Sequence, residues 1–113
     1  MKFDERQEQQ AIIIRPLEQR LDSYVAEEFK AHMKNLVHNG HQQVVLDLGD
    51  VEFVDSNGLG AIIATMIALG PQGRLMVCAP HERVLALFRL SRMDRVISVV
   101  ADPDEALRAM SRE

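Results

Sequence analysis

The chain has 113 residues, 47% of them apolar and 27% charged, with a formal net charge of −4. That length suits one domain, residues 1–113, with a core that needs no staples. The acidic balance argues against non-specific nucleic-acid binding. The polar N-terminus carries no signal-peptide pattern, and the longest uncharged run, Ser56 to Gly73, is too interrupted for a membrane span.

In chain order, a short strand is expected around Met1 to Arg6. Ala11 to Arg15 is a β-branched run and a predicted strand, limited by Pro16. Asp22 or Ser23 can cap a helix whose apolar positions, Val25, Phe29, Met33, Leu36 and Val37, are spaced by three and four. Asn39-Gly40 ends it, with Gly40 just past the last turn. Val44 to Leu48 is a buried-type strand, and Gly49-Asp50 turns the chain. Val51 to Val54 leads to a serine turn, followed by a helix from about Gly58 to Leu69. Arg74 to Ala79 is a strand containing the single cysteine, Cys78. No intrachain disulfide is therefore possible, and a reducing, cytoplasmic location fits. Pro80 precedes a helix from about His81 to Leu90, with Val84, Leu85, Leu87 and Phe88 as its apolar stripe. Val96 to Val100 is the last strand. Asp102-Pro103-Asp104-Glu105 opens a terminal helix with a cap, proline at the first position and early acids. The alternation predicts an α/β fold: a mixed, mostly parallel sheet of about four to five strands packed with about four helices.

Functional residues of such sheets collect beyond the carboxyl ends of strands. Ser56, in Asp55-Ser56-Asn57-Gly58, lies at such an end, where the first turn of a helix and its dipole favour negative charge. Asp, Ser and Asn are also favoured capping residues and Gly a turn residue, so the segment has a purely structural reading. A capping serine can still accept a phosphate, which would alter what a partner meets at that surface.

Other chemistries find less support. Gly58-Leu59-Gly60 lacks the third glycine of a dinucleotide fingerprint, and no phosphate-loop motif occurs. Ser56 lacks the glycine two residues upstream that a nucleophile elbow needs, and no spacing brings His81 to it. His32, His38 and His41 read as solvated surface residues without a completing carboxylate or thiol cluster, so neither metal nor cofactor is expected. The arginines cluster mildly at Arg83, Arg89, Arg92 and Arg95.

On a helical wheel, Leu59, Ile62, Ile63, Met66, Ile67 and Leu69 gather on one side, the expected core face. Gly60, Ala61, Ala64, Thr65 and Ala68 gather on the other. That uncharged small-residue side is either covered by another element or docks a partner.

The run Val44 to Gly60, with its Asp-Ser-x-Gly-Leu-Gly core, resembles the signature of STAS domains, and more narrowly of single-domain bacterial anti-sigma-factor antagonists. The resemblance continues through Gly73 to Cys78, Val84 to Met93 and Arg95 to Ile97, covering most of the chain from Leu21. It implies a STAS-like fold and partner switching. The unphosphorylated antagonist binds a GHKL-type serine kinase that doubles as an anti-sigma factor. Phosphorylation at the position of Ser56 releases it, and a PP2C-like phosphatase resets the switch. By the same resemblance Asp22 matches an acidic residue near the phosphorylation loop, and Asp55 the residue before the acceptor. The chain departs from the family at Asn57, where Ser or Thr is usual, and at Gln19-Arg20, where Gly-Glu is usual. Two other functions compete. One is a constitutive STAS accessory subunit of a transport complex that binds an ATPase. The other is a small enzyme with Ser56 as nucleophile, which has no visible base.

Overall fold

A computed structural model describes residues 1–111. Its strands are β1 (Phe3–Glu8), β2 (Ala11–Pro16), β3 (Arg20–Leu21), β4 (Gln43–Asp47), β5 (Phe53–Val54), β6 (Arg74–Cys78) and β7 (Ser98–Val100). Its helices are α1 (Ala26–His38), α2 (Ser56–Leu69), α3 (Glu82–Leu90) and α4 (Pro103–Ser111), with a 3₁₀ turn at Met93–Arg95. Five strands form one sheet in the order β1-β2-β4-β6-β7. Only β1 is antiparallel; the β2–β4, β4–β6 and β6–β7 pairs are parallel. The sheet is thus mixed and mostly parallel, with four helices, as the alternation predicts.

The central strands read as continuous apolar runs because both of their faces are covered. Successive side chains alternate between faces. Ile12, Ile14, Val44, Leu46, Leu75 and Val77 point to the side of α1, α2 and α3, where they meet Phe29, Met33, Leu59, Ile62, Val84 and Phe88. Ala11, Ile13, Val45, Met76 and Cys78 point to the other side and meet Ala106 and Met110 of α4. Burial drives the Cys78 thiol pKa up to about 12, with the nearby Asp47 and Asp102 charges adding to the shift.

Several elements differ from the sequence reading. The N-terminal strand runs two residues further, to Glu8, because Gln9 enters the left-handed region (φ 57°) and closes a hairpin onto β2. The last strand begins at Ser98 rather than Val96. Arg92, at φ 61°, and the 3₁₀ turn consume the preceding residues, so Val96 is exposed while Ile97 is buried. Neither Asp22 nor Ser23 is the residue immediately preceding α1. A turn from Asp22 to Val25 intervenes, and Ala26 opens the helix. His32 is not simply solvated: its ring stacks on Phe3 at 3.8 Å, and its Nε2 contacts the Glu5 carboxylate, tying β1 to α1.

A second, two-stranded sheet positions the site. Arg20 pairs with Phe53 and Leu21 with Val54, in parallel. The backbone N–H of Asp55 donates to the Leu21 carbonyl at 3.1 Å, which places the start of α2 beside β3. Gly58 makes this approach possible. A Cβ there would lie 2.1 Å from the Leu21 carbonyl oxygen, whereas one at Gly60 would meet nothing within 4 Å.

The two glycines are therefore expected to respond oppositely to alanine. Gly58→Ala should destabilise by about 3 kcal/mol, since the obstacle is backbone. Gly60→Ala, exposed inside a helix, should stabilise by about 0.5–1 kcal/mol. Urea unfolding of the two variants checks both signs.

Candidate functional site at the start of α2

The carboxylate of Asp55 organises this end of the molecule. Its Oδ1 accepts from the backbone N–H groups of Asn57 and Gly58, both at 2.9 Å, so Asp55 is the N-cap of α2. Its Oδ2 accepts from the Ser23 backbone N–H at 3.1 Å. One side chain thus ties the turn before α1 to the turn before α2. Asp22 continues the network: Oδ1 accepts from the Tyr24 backbone N–H and Oδ2 from Arg20 Nε, both at 3.1 Å. The Arg20 guanidinium also lies 4.2 Å from the centre of the Phe53 ring, which Arg83 approaches from 6.0 Å.

Ser56 is the first residue of α2, two residues before the predicted start, and is exposed. Among the described residues its hydroxyl has no hydrogen-bond partner. The capping role that the sequence left open for Ser56 belongs to Asp55. This changes the expected electrostatics. The first-turn N–H groups of Asn57 and Gly58 do not wait for a phosphate; the Asp55 carboxylate already fills them. A phosphate on Ser56 would gain the helix dipole, meet the Asp55 charge beside it, and remain in solvent.

The structure brings Asp22, Asp55, Ser56, Asn57 and Gly58 to one end of the fold, as expected. The α2 wheel turns out rotated. Ala61 and Thr65, expected on the small docking side, are 3% and 1% exposed and belong to the interior. Small side chains there allow α1 to pack against α2. The Thr65 hydroxyl, buried, donates to the Ala61 carbonyl at 3.0 Å. Ile67, expected in the core, is 69% exposed. The outward face of α2 instead carries Ser56, Gly60, half-buried Ile63 and Ala64, Ile67 and Ala68, at helical spacing. Beside it, Tyr24 stands 93% exposed on the turn that Asp55 and Asp22 fix. An isolated tyrosine in a polar segment gave no sequence signal. Its importance appears only when Ser23 meets Asp55.

Alternative chemistry gains nothing from the geometry. His81 Nε2 lies 2.8 Å from the Gly49 carbonyl oxygen and does not engage Ser56. Among the described residues, no group of three or more His, Cys, Asp or Glu could hold a metal ion, and no helix is long and apolar enough to cross a membrane.

The Gly58 N–H, followed by the contacts from Asn57 and Ser23, holds the Asp55 carboxyl below its ordinary value, against partial desolvation. A depressed folded pKa means stability present above the unfolded value of about 3.9 and lost as pH falls through the folded one. Asp55→Asn should therefore melt below the wild type at neutral pH. The gap should shrink as pH drops below about 3.9, because the wild-type carboxylate becomes protonated too. Parallel thermal melts across pH 2–7 read this out.

The family model for the STAS domain matches residues 5–106. A candidate anti-sigma factor antagonist of Bordetella bronchiseptica, BtrV, is 28% identical over 99 residues, covering 87% of this chain and 85% of that protein. The crystal structure of a candidate anti-sigma factor antagonist from Thermotoga maritima superposes with a TM-score of 0.88 at 24% identity, covering 95% of this chain and 92% of that one. The Bacillus cell fate determinant SpoIIAA, solved in its phosphorylated form, superposes with a TM-score of 0.73 at 20% identity, covering 96% and 99%. With a family match over nearly its whole length, the chain belongs to the STAS domain family.

Proposed function

We propose that this protein is a phosphorylation-controlled antagonist in a bacterial partner-switching system, a cytoplasmic binding module and not an enzyme. In its unphosphorylated form it binds and sequesters an anti-sigma factor that is also a GHKL-type serine kinase. Phosphorylation at Ser56 releases that partner, and a PP2C-like phosphatase restores the hydroxyl. The observation that carries this reading is the state of Ser56: exposed, its hydroxyl unengaged, at the first position of a helix whose N-cap is another residue. The hydroxyl can be modified without dismantling the fold. The names and forms of the relatives above, including a phosphorylated SpoIIAA, agree with it.

The electrostatics supply the switch. A phosphate brings about −1.5 to −2 charges at neutral pH. The helix terminus offsets roughly +0.5 of that, and the Asp55 carboxylate adds to the repulsion. A partner surface fitted to neutral Ser56 must then desolvate a charge without a matching donor. The docking face in this reading is the outward side of α2, through Gly60, Ala64 and Ala68 with Ile63 and Ile67, flanked by Tyr24.

Incubation with the cognate kinase and ATP should add one phosphate, at Ser56, and Ser56→Ala should abolish labelling while keeping partner binding. Labelling of the alanine variant at normal stoichiometry would remove the assignment. Ser56→Asp should weaken kinase binding with little change in Tm. Constitutive binding of an ATPase, indifferent to all three states of residue 56, is the result expected of a transport subunit instead.

The outward face makes a separate prediction. Ala64→Arg places a long cation on a half-buried, outward position, so Tm should stay near that of the wild type while kinase affinity falls at least tenfold, about 1.4 kcal/mol. A collapse in Tm, measured by calorimetry, would return this position to the core.

A further inference from the structure

α3 leaves the carboxyl ends of the strands and returns to their amino ends, where β7 begins parallel to β6. Its far end therefore lies opposite Ser56. There, Leu90 is 84% and Val96 59% exposed, two of the few exposed large aliphatic side chains among the described residues. Between them the chain winds tightly: Arg92 N–H donates to the Arg89 carbonyl at 3.1 Å, Arg95 N–H to Arg92 at 3.2 Å, and Val96 N–H to Met93 at 3.1 Å. Arg89, Arg92 and Arg95 are thereby held around the two apolar residues, all three exposed. None of their guanidiniums has an ion-pair or hydrogen-bond partner among the described residues. Arg92 occupies the left-handed region at φ 61°, where glycine or asparagine is usual. Alongside runs a shallow hollow of about 430 Å³, lined by Glu82, Leu85, Ala86, Arg89 and Leu90.

We propose that this patch is a second interaction surface, separate from the Ser56 face, and that it takes a short acidic amphipathic helix of another protein. An apolar side chain of that helix fills the hollow against Leu85 and Leu90, and its flanking carboxylates pair with Arg89, Arg92 and Arg95. Charge complementarity selects this occupant. Residues 89–96 carry three arginines and one acid, Asp94, and Glu82 at the other end of the hollow adds a second, so the patch keeps a net positive charge on a chain whose net charge is −4. The remainder is thus more acidic than the whole, and anionic bilayers and nucleic acid repel it. A second copy docking about a two-fold axis would set the arginines against themselves. Arginine with a protruding aliphatic anchor is a composition that protein interfaces favour.

The test uses the full chain, isotope-labelled, titrated with a synthetic helix of about 16 residues that has leucines at three- and four-residue spacing between glutamates. Saturable shift changes should concentrate at Leu85, Ala86, Leu90 and residues 92–96. Leu90→Ser, and separately the Arg92→Glu/Arg95→Glu pair, should each weaken binding about tenfold or more at unchanged Tm. The same helix with lysine for glutamate should not bind, and Ser56→Asp should leave the affinity unchanged. Three results overturn the proposal: absence of a saturable shift, equal binding of the glutamate and lysine helices, or preference for phosphatidylserine vesicles or duplex DNA. None of these touches the role of Ser56, which the kinase labelling decides.

Discussion

The start of α2 depends on where one carboxylate goes. Asp55 takes two N–H groups of its own helix and one from the turn before α1, while its backbone N–H is held by Leu21. Four hydrogen bonds at one residue join β3, the α1 turn and α2. The close passage of Gly58 over the Leu21 carbonyl leaves no slack in that junction. A surface built this way is rigid before any partner arrives, so little ordering entropy is left for binding to supply. The same arrangement separates two duties that a single serine could have held. Asp55 maintains the helix, and Ser56 is left free of structural obligation.

In the proposed switch, that separation would give a phosphate on Ser56 its leverage. Were the first-turn N–H groups open, the domain itself would absorb much of the added charge. With them filled, the added charge would face outward beside a carboxylate, where only solvent or a partner could answer it.

Much of this architecture was legible from residue patterns. The apolar runs of β2, β4 and β6 announced strands covered on both faces, and Asp-Ser-x-Gly announced the strand-to-helix junction where the candidate site lies. The orientation of α2 was not legible. Nearly every residue of that helix is apolar or small, so size contrast stood in for polarity, and it misled: Ile67 faces water while Ala61 and Thr65 are buried. What orients the helix is the approach of Gly58 to Leu21 and of α1 to its small residues. Those contacts join segments far apart in the sequence, and local periodicity carries no trace of them. β3 was missed for a similar reason. Two residues pairing with two others make no run, and Arg20-Leu21 becomes a strand only because Phe53-Val54 lies beside it.

Cys78 lies in β6, flanked in the sheet by β4 and β7, with its thiol inaccessible and its ionisation suppressed. Thiol reagents and biological oxidants attack the thiolate, and here neither the ion nor a path to it exists in the folded chain. Chemical modification must wait for β6 to separate from its neighbours. The lone thiol is thus a clock for opening of the sheet, set by the rate at which the fold comes apart.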